Sequence, residues 1–196
     1  MIHFFEEQRS IYLETENTSY VMYILENGTL VHSYYGEKIP QEEISYSHIF
    51  HGINCSAYMK NGEEILSPEM VRYEYPTFGR GDFRVPAIKV EGRDGSCVNE
   101  LVYVSHKIMR GKPKFQGLPQ LDVNVENLET LEILLRDEIS GFEVWLYYSV
   151  FFGEDVIARH SVIKNIGESS IWIHHAASAS IDFPVSDYEM ITLEGS

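Results

Sequence analysis

Two runs rich in tyrosine and branched aliphatic residues, Tyr20-Val21-Met22-Tyr23-Ile24-Leu25 and Thr29-Leu30-Val31-His32-Ser33-Tyr34-Tyr35, stand on either side of Asn27-Gly28. Asn-Gly tolerates the positive φ angles of a type I′ turn, and its flanks have the composition of strands, so residues 20–35 are expected to form a β-hairpin. Strand-like runs recur over 84–91, 100–109, 130–136, 142–152, 156–164 and 171–180, with turns at Gly92-Arg93-Asp94-Gly95 and Asn165-Ile166-Gly167-Glu168. No amphipathic helix follows them, which argues against an α/β layering and for an all-β chain. In the run 156–164 the residues Ile157, Arg159, Ser161 and Ile163 share one face, and Val156, Ala158, His160 and Val162 the other. Both faces are therefore mixed, as in a strand packed inside a large multi-sheet sandwich.

Between 39 and 78 the pattern loosens around Pro40, Gly52, Gly62 and Pro68, and the stretch reads as a long excursion and not as a strand pair. Ser67-Pro68-Glu69 offers the start of one short helix. No internal repeat or low-complexity tract interrupts the chain. Its 196 residues, 44% of them hydrophobic, suffice for one core, so residues 1–196 are expected to be a single domain.

Thirty acidic residues against fifteen basic ones give a formal charge of −15. A surface of that sign repels phosphate backbones and anionic bilayers, so neither nucleic acid nor a membrane is expected as a partner. Residues 1–10 lack the basic and apolar regions of a signal peptide, and no run approaches the length of a membrane helix; the expected location is the cytoplasm. In that compartment Cys55 and Cys97 are expected to be free thiols.

The motifs of common chemistries are absent. There is no Gly-x-Ser-x-Gly elbow, no HExxH and no CxxC, and Gly79-Arg80-Gly81-Asp82 lacks the remainder of a phosphate loop and reads as a tight turn. His174 and His175, adjacent on a strand, point to opposite faces and cannot hold one ion together, so neither a metal nor a cofactor is expected. Glycosidases use paired carboxylates, but thirty acids make any pairing easy to draw. Asp82 and Asp182, each beside a Phe at a turn-rich junction, are read as organisers of local backbone and not as catalysts.

Several phrases occur in an order that is itself informative: Glu74-Tyr75-Pro76-Thr77-Phe78-Gly79-Arg80-Gly81-Asp82-Phe83-Arg84-Val85-Pro86-Ala87, then Gly111-Lys112-Pro113 and Gly117-Leu118-Pro119, then Glu129-Thr130-Leu131 and Gly141-Phe142-Glu143-Val144, and finally Asp182-Phe183-Pro184, Asp187-Tyr188 and Ile191-Thr192-Leu193-Glu194-Gly195. Together they resemble the N-terminal region of melibiase-type α-galactosidases, glycoside hydrolase family 36. The resemblance implies a β-supersandwich of large antiparallel sheets, cut short at its C-terminal end. It also implies that the nucleophile and the acid/base, two aspartates of a (β/α)8 barrel in a retaining enzyme, lie outside this chain, which is then inactive alone. The parent enzyme would act on terminal α-galactosides of the melibiose and raffinose type and form a homo-oligomer. In that assembly a loop of this domain reaches a neighbour's active site. The matching stretch here is Phe50-His51-Gly52-Ile53-Asn54-Cys55-Ser56-Ala57-Tyr58, which departs from the family's Leu-Asp-Arg and Phe-Ser pattern. It leaves Asn54, His51 and Ser56 as the candidate sugar contacts, with Asn54 also fitting an ordinary turn. Two other classes fit the same composition: a free-standing carbohydrate-binding module using aromatic faces, and a structural domain whose strand edges make subunit contacts.

Overall fold

The computed structural model describes residues 1–41, 57–117, 128–183, 187, 189, 191 and 192. The first four strands, β1 (Ile2–Phe5), β2 (Ser10–Glu14), β3 (Thr18–Ile24) and β4 (Leu30–Glu37), form an antiparallel meander in sequential order. A three-residue pair, β5 (Met59–Asn61) and β6 (Glu64–Leu66), follows, and then β7 (Ile88–Glu91). A second four-stranded meander consists of β8 (Val102–Arg110), β9 (Leu128–Asp137), β10 (Phe142–Phe151) and β11 (Val156–Asn165). The last strand, β12 (Trp172–Ala176), returns to pair with β7. The all-β expectation holds, and the named strands pair antiparallel throughout.

Alternation explains how the two meanders stack. Ile11 and Leu13 on β2, with Tyr20, Met22 and Ile24 on β3, turn inward against Leu131, Ile133 and Leu135 of β9 and Val144, Leu146, Tyr148 and Val150 of β10. The residues between them, Tyr12, Val21 and Tyr23, face the opposite way and meet Leu66 and Val71. A strand whose two faces are both covered needs apolar residues at successive positions, as β3 has from Tyr20 to Ile24. On β11 the core takes Ile157 and Ile163, from the face the sequence grouped together, while His160 of the other face stacks on Phe115 at 3.7 Å between ring centroids.

Three local expectations are corrected. The hairpin at 20–35 forms, but its turn is not type I′. Gly28 N donates to Leu25 O at 2.9 Å, Leu25 N donates to Thr29 O at 2.9 Å, and of the central pair only Gly28 has positive φ, at +85°. This is a turn closed by a glycine bulge, a longer solution that still requires Gly at the same place. A Cβ there would also stand 2.4 Å from Val102 Cγ1, because the turn abuts β8 and accepts a hydrogen bond from Tyr103 N at 2.9 Å. Within the excursion at 39–78, residues 59–66 do form a strand pair, and this stretch covers the back of the first sheet. The run expected at 84–91 is strand only from Ile88. Ser67-Pro68-Glu69 does open a short helical turn, of 3-10 type, over Pro68–Met70.

Candidate functional site

The stretch 74–87 threads between the meanders, and its first residue sits at their junction. Glu74 N donates to Leu30 O at 3.1 Å, and Tyr73 bridges Val31, which carries the Glu74 side chain into the interior at 0% exposure. Tyr20 Oη of β3 donates to both carboxylate oxygens, at 2.7 and 2.8 Å. Tyr148 Oη of β10 donates to Oε1 at 2.7 Å. Arg159 of β11 places its guanidinium 2.7 Å from the same carboxylate, and His32 Nδ1 of β4 lies 3.3 Å away. Arg159 also donates to the Tyr20 and Tyr148 oxygens, at 3.1 and 3.3 Å, and lies over both rings. One carboxylate thus joins two strands of the first sheet to two of the second.

The electrostatics are those of a closed ion cluster. Burial alone would raise the Glu74 pKa, but Arg159, with His32 and Tyr148 beside it, more than offsets this and holds the carboxyl below its ordinary value. Burial pushes both phenols well above theirs, and the Glu74 charge pushes them further, so they stay protonated and donate. Burial works against the charge on Arg159, yet the groups around it keep it protonated. A carboxylate with this many donors has no lone pair directed at an incoming substrate, and the arrangement suits holding sheets together better than moving protons.

Further along the motif, Asp82 accepts from Arg84 three times: from the backbone N at 3.1 Å, from Nε at 2.8 Å and from Nη2 at 2.8 Å. Arg84 Nη2 also donates to Val71 O at 2.6 Å, and its Nη1 lies 3.9 Å from Asp182 Oδ2. Asp82 therefore has the backbone-organising role expected of it, and Arg84 brings the two aspartates into one cluster. Phe83 and Val85, between and beyond these polar residues, project outward at 68% and 83% exposure.

A groove of about 370 Å³ opens nearby, lined by Tyr58, Tyr73, Tyr75, Arg80, Asp82 and Glu100 among others. Its polar groups are largely engaged by the fold. Tyr75 Oη donates to Ala177 O at 2.7 Å, Arg80 pairs with Glu100, and Asp82 pairs with Arg84. Both carboxylates have a cationic partner, unlike the acid and nucleophile of a glycosidase, which face the sugar.

His51, Asn54 and Ser56, with Cys55, lie outside the described residues. His174 Nε2 stands 2.6 Å from Glu91 Oε2, with Cys97 close by, whereas His175 is opposite Lys89. The residue that sequence reasoning missed is Arg159. Its signal was present, since a lone cation shares a face with Ile157 and Ile163, but nothing local named Glu74 as its partner.

With this geometry in place, comparison with known proteins assigns the chain. The model of the glycosyl hydrolase family 36 N-terminal domain matches residues 28–196. The chain belongs to that family and corresponds to its N-terminal domain. It is 35% identical over 193 residues to α-galactosidase AgaA of Geobacillus stearothermophilus, covering 96% of this chain and 26% of that protein. The crystal structure of α-galactosidase AgaB from the same organism superposes with a TM-score of 0.87 at 33% identity, over 96% of this chain and 26% of that one. A variant of AgaA in complex with raffinose superposes with a TM-score of 0.85 at 34% identity, over 91% of this chain and 25% of that one. The chain spans about a quarter of the length of these relatives. Among the described residues no helix is long and apolar enough to cross a membrane.

Proposed function

We propose that this chain is the non-catalytic scaffold of a retaining α-galactosidase that acts on terminal α-galactosides of the melibiose and raffinose type. Residues 1–196 act as one domain, the parent enzyme is cytoplasmic, and the domain supports a homo-oligomer. The loop at 50–58 is offered to a neighbouring active site, with Asn54, His51 and Ser56 as the candidate sugar contacts. The observation that carries the non-catalytic reading is the turning inward of the motif's first carboxylate: Glu74 is sealed between sheets and saturated by Tyr20, Tyr148 and Arg159.

The test is turnover of a chromogenic α-galactoside by the purified chain. No turnover is expected, and turnover that copurifies with the chain and survives removal of contaminating enzyme would overturn the proposal. Calorimetric titration with raffinose separates this reading from that of a free-standing binding module. Such a module would bind as an isolated chain, on the tyrosines of the groove. A scaffold domain should give little or no heat. Light scattering checks the oligomer role, and the third reading, a purely structural contact domain, predicts assembly without any effect of Asn54 substitution on a complete enzyme.

A further inference from the structure

At the far end of the β7–β12 pair three side chains of different chemistry converge. Glu91 is the last residue of β7. The chain then doubles back through a tight loop in which Gly92 N donates to Ser96 O at 2.9 Å and Gly95 N to Gly92 O at 3.0 Å, and this returns Cys97 to the side of Glu91. The third side chain comes from β12. Trp172 pairs with Glu91 and Ile173 with Val90, but His175, not His174, pairs with Lys89. The register slips by one, His174 is the extra residue, and its Nε2 lies 2.6 Å from Glu91 Oε2. Bulges of this kind re-aim a side chain out of the regular ladder. The carboxylate oxygen, the thiol sulfur and the imidazole nitrogen all lie within 4.8 Å of one another.

We propose that Glu91, Cys97 and His174 form a binding site for a divalent d-block cation of zinc type, with a fourth position left to water. The donor set decides the class. A thiolate and an imidazole select zinc-like ions, whereas calcium and magnesium require oxygen ligands alone. Ligand atoms around a tetrahedral zinc ion stand roughly 3–4 Å apart, given bonds of about 2.0–2.3 Å. The observed spread is therefore within reach of small rotations of three side chains. All three are partly exposed, so an ion has a path in. On binding, the ion takes the place of the direct His174–Glu91 hydrogen bond, and the thiol and any imidazolium proton pass to solvent. The ion would then tie β12 to the β7 loop across 77 residues of sequence, at a strand exposed along its whole length.

Cobalt(II) titration of the reduced chain tests this through the near-ultraviolet charge-transfer absorption of a thiolate-bound cobalt ion. The expected result is a band that saturates at one equivalent, is displaced by zinc, and appears equally in Cys55→Ser. It should vanish in Cys97→Ser, and binding should weaken at least about tenfold in His174→Ala and in Glu91→Ala. Far-ultraviolet circular dichroism of each variant shows whether the β fold is kept, which is expected because the three side chains are not core residues. No band in the parent chain, a band that survives Cys97→Ser, or binding only in the millimolar range overturns the proposal.

Discussion

The two four-stranded sheets are finished to different degrees. In the first, β2 and β3 each carry apolar residues on both faces, and both faces are covered from within the chain: one by the second sheet, the other by the segment around Leu66 and Val71. In the second sheet the inner face of β9 and β10 is packed, but β8 is mostly exposed or half-buried and β11 is an edge strand. Beside it β12 is exposed at every residue, with Trp172 at 52% and Ile173 at 49%. The difference teaches that burial in this domain is asymmetric, and that the Glu74 cluster sits where the closed half meets the open half. In the proposed scaffold role the open side is the face available to the rest of an enzyme.

Substitution at the junction should have the largest effect. Glu74→Ala strips the carboxylate from a buried guanidinium and is expected to cost about 3–5 kcal/mol, read as a lowered urea midpoint. Next comes Gly28→Ala at the turn that ties the first sheet to β8. It combines a positive φ with a methyl driven into Val102, and about 1–3 kcal/mol should be lost. Smallest is Trp172→Ser on β12, expected within about 0.5 kcal/mol because the side chain is already half in water. If Trp172→Ser proved as costly as Gly28→Ala, the contrast between a closed and an open half would fail.

Acid sharpens the same comparison. Because the Glu74 pKa is lower in the folded chain than its ordinary value of 4.5, its contribution to stability is complete above that value. It is lost as the pH falls through the lowered folded value, when protonation leaves Arg159 uncompensated. Urea midpoints measured from neutral pH into acid should therefore fall steeply below about pH 4.5. Glu74→Gln, with no proton to take up at that position, should be less stable at neutral pH and should show a shallower acid slope.

The sequence displayed the strands of this fold better than their partnerships. Residues 142–151 and 156–165 were legible because strand-like runs ended at turn residues. The first two strands were not: the turn between them is Glu6-Glu7-Gln8-Arg9, with Arg9 at φ +51° and no Gly, Pro or Asn to mark it. The pair β5–β6 was lost because three residues are too few for alternation to register. Turn type at Asn27-Gly28 depended on loop length, which the dipeptide does not specify.

The site divides in the same way. Asp82 was legible because its partner is two residues away. Glu74 and Arg159 were visible only as a motif residue and an odd cation on an apolar face, since their meeting depends on the stacking of two sheets. The trio of Glu91, Cys97 and His174 was hidden for a similar reason. Strict alternation correctly separated His174 from His175, but it could not anticipate a bulge that turns one of them toward a loop 77 residues earlier.

The clasp between the sheets is tested most directly by urea unfolding of four chains: the parent, Glu74→Met, Arg159→Met and the double substitution. If the carboxylate and guanidinium serve to close the sandwich, each single change should lower stability by several kcal/mol, and the double change should recover much of the loss, because two apolar side chains can fill the space of a buried pair. Single losses that simply add in the double variant would contradict it, for they would mean that Glu74 and Arg159 act apart.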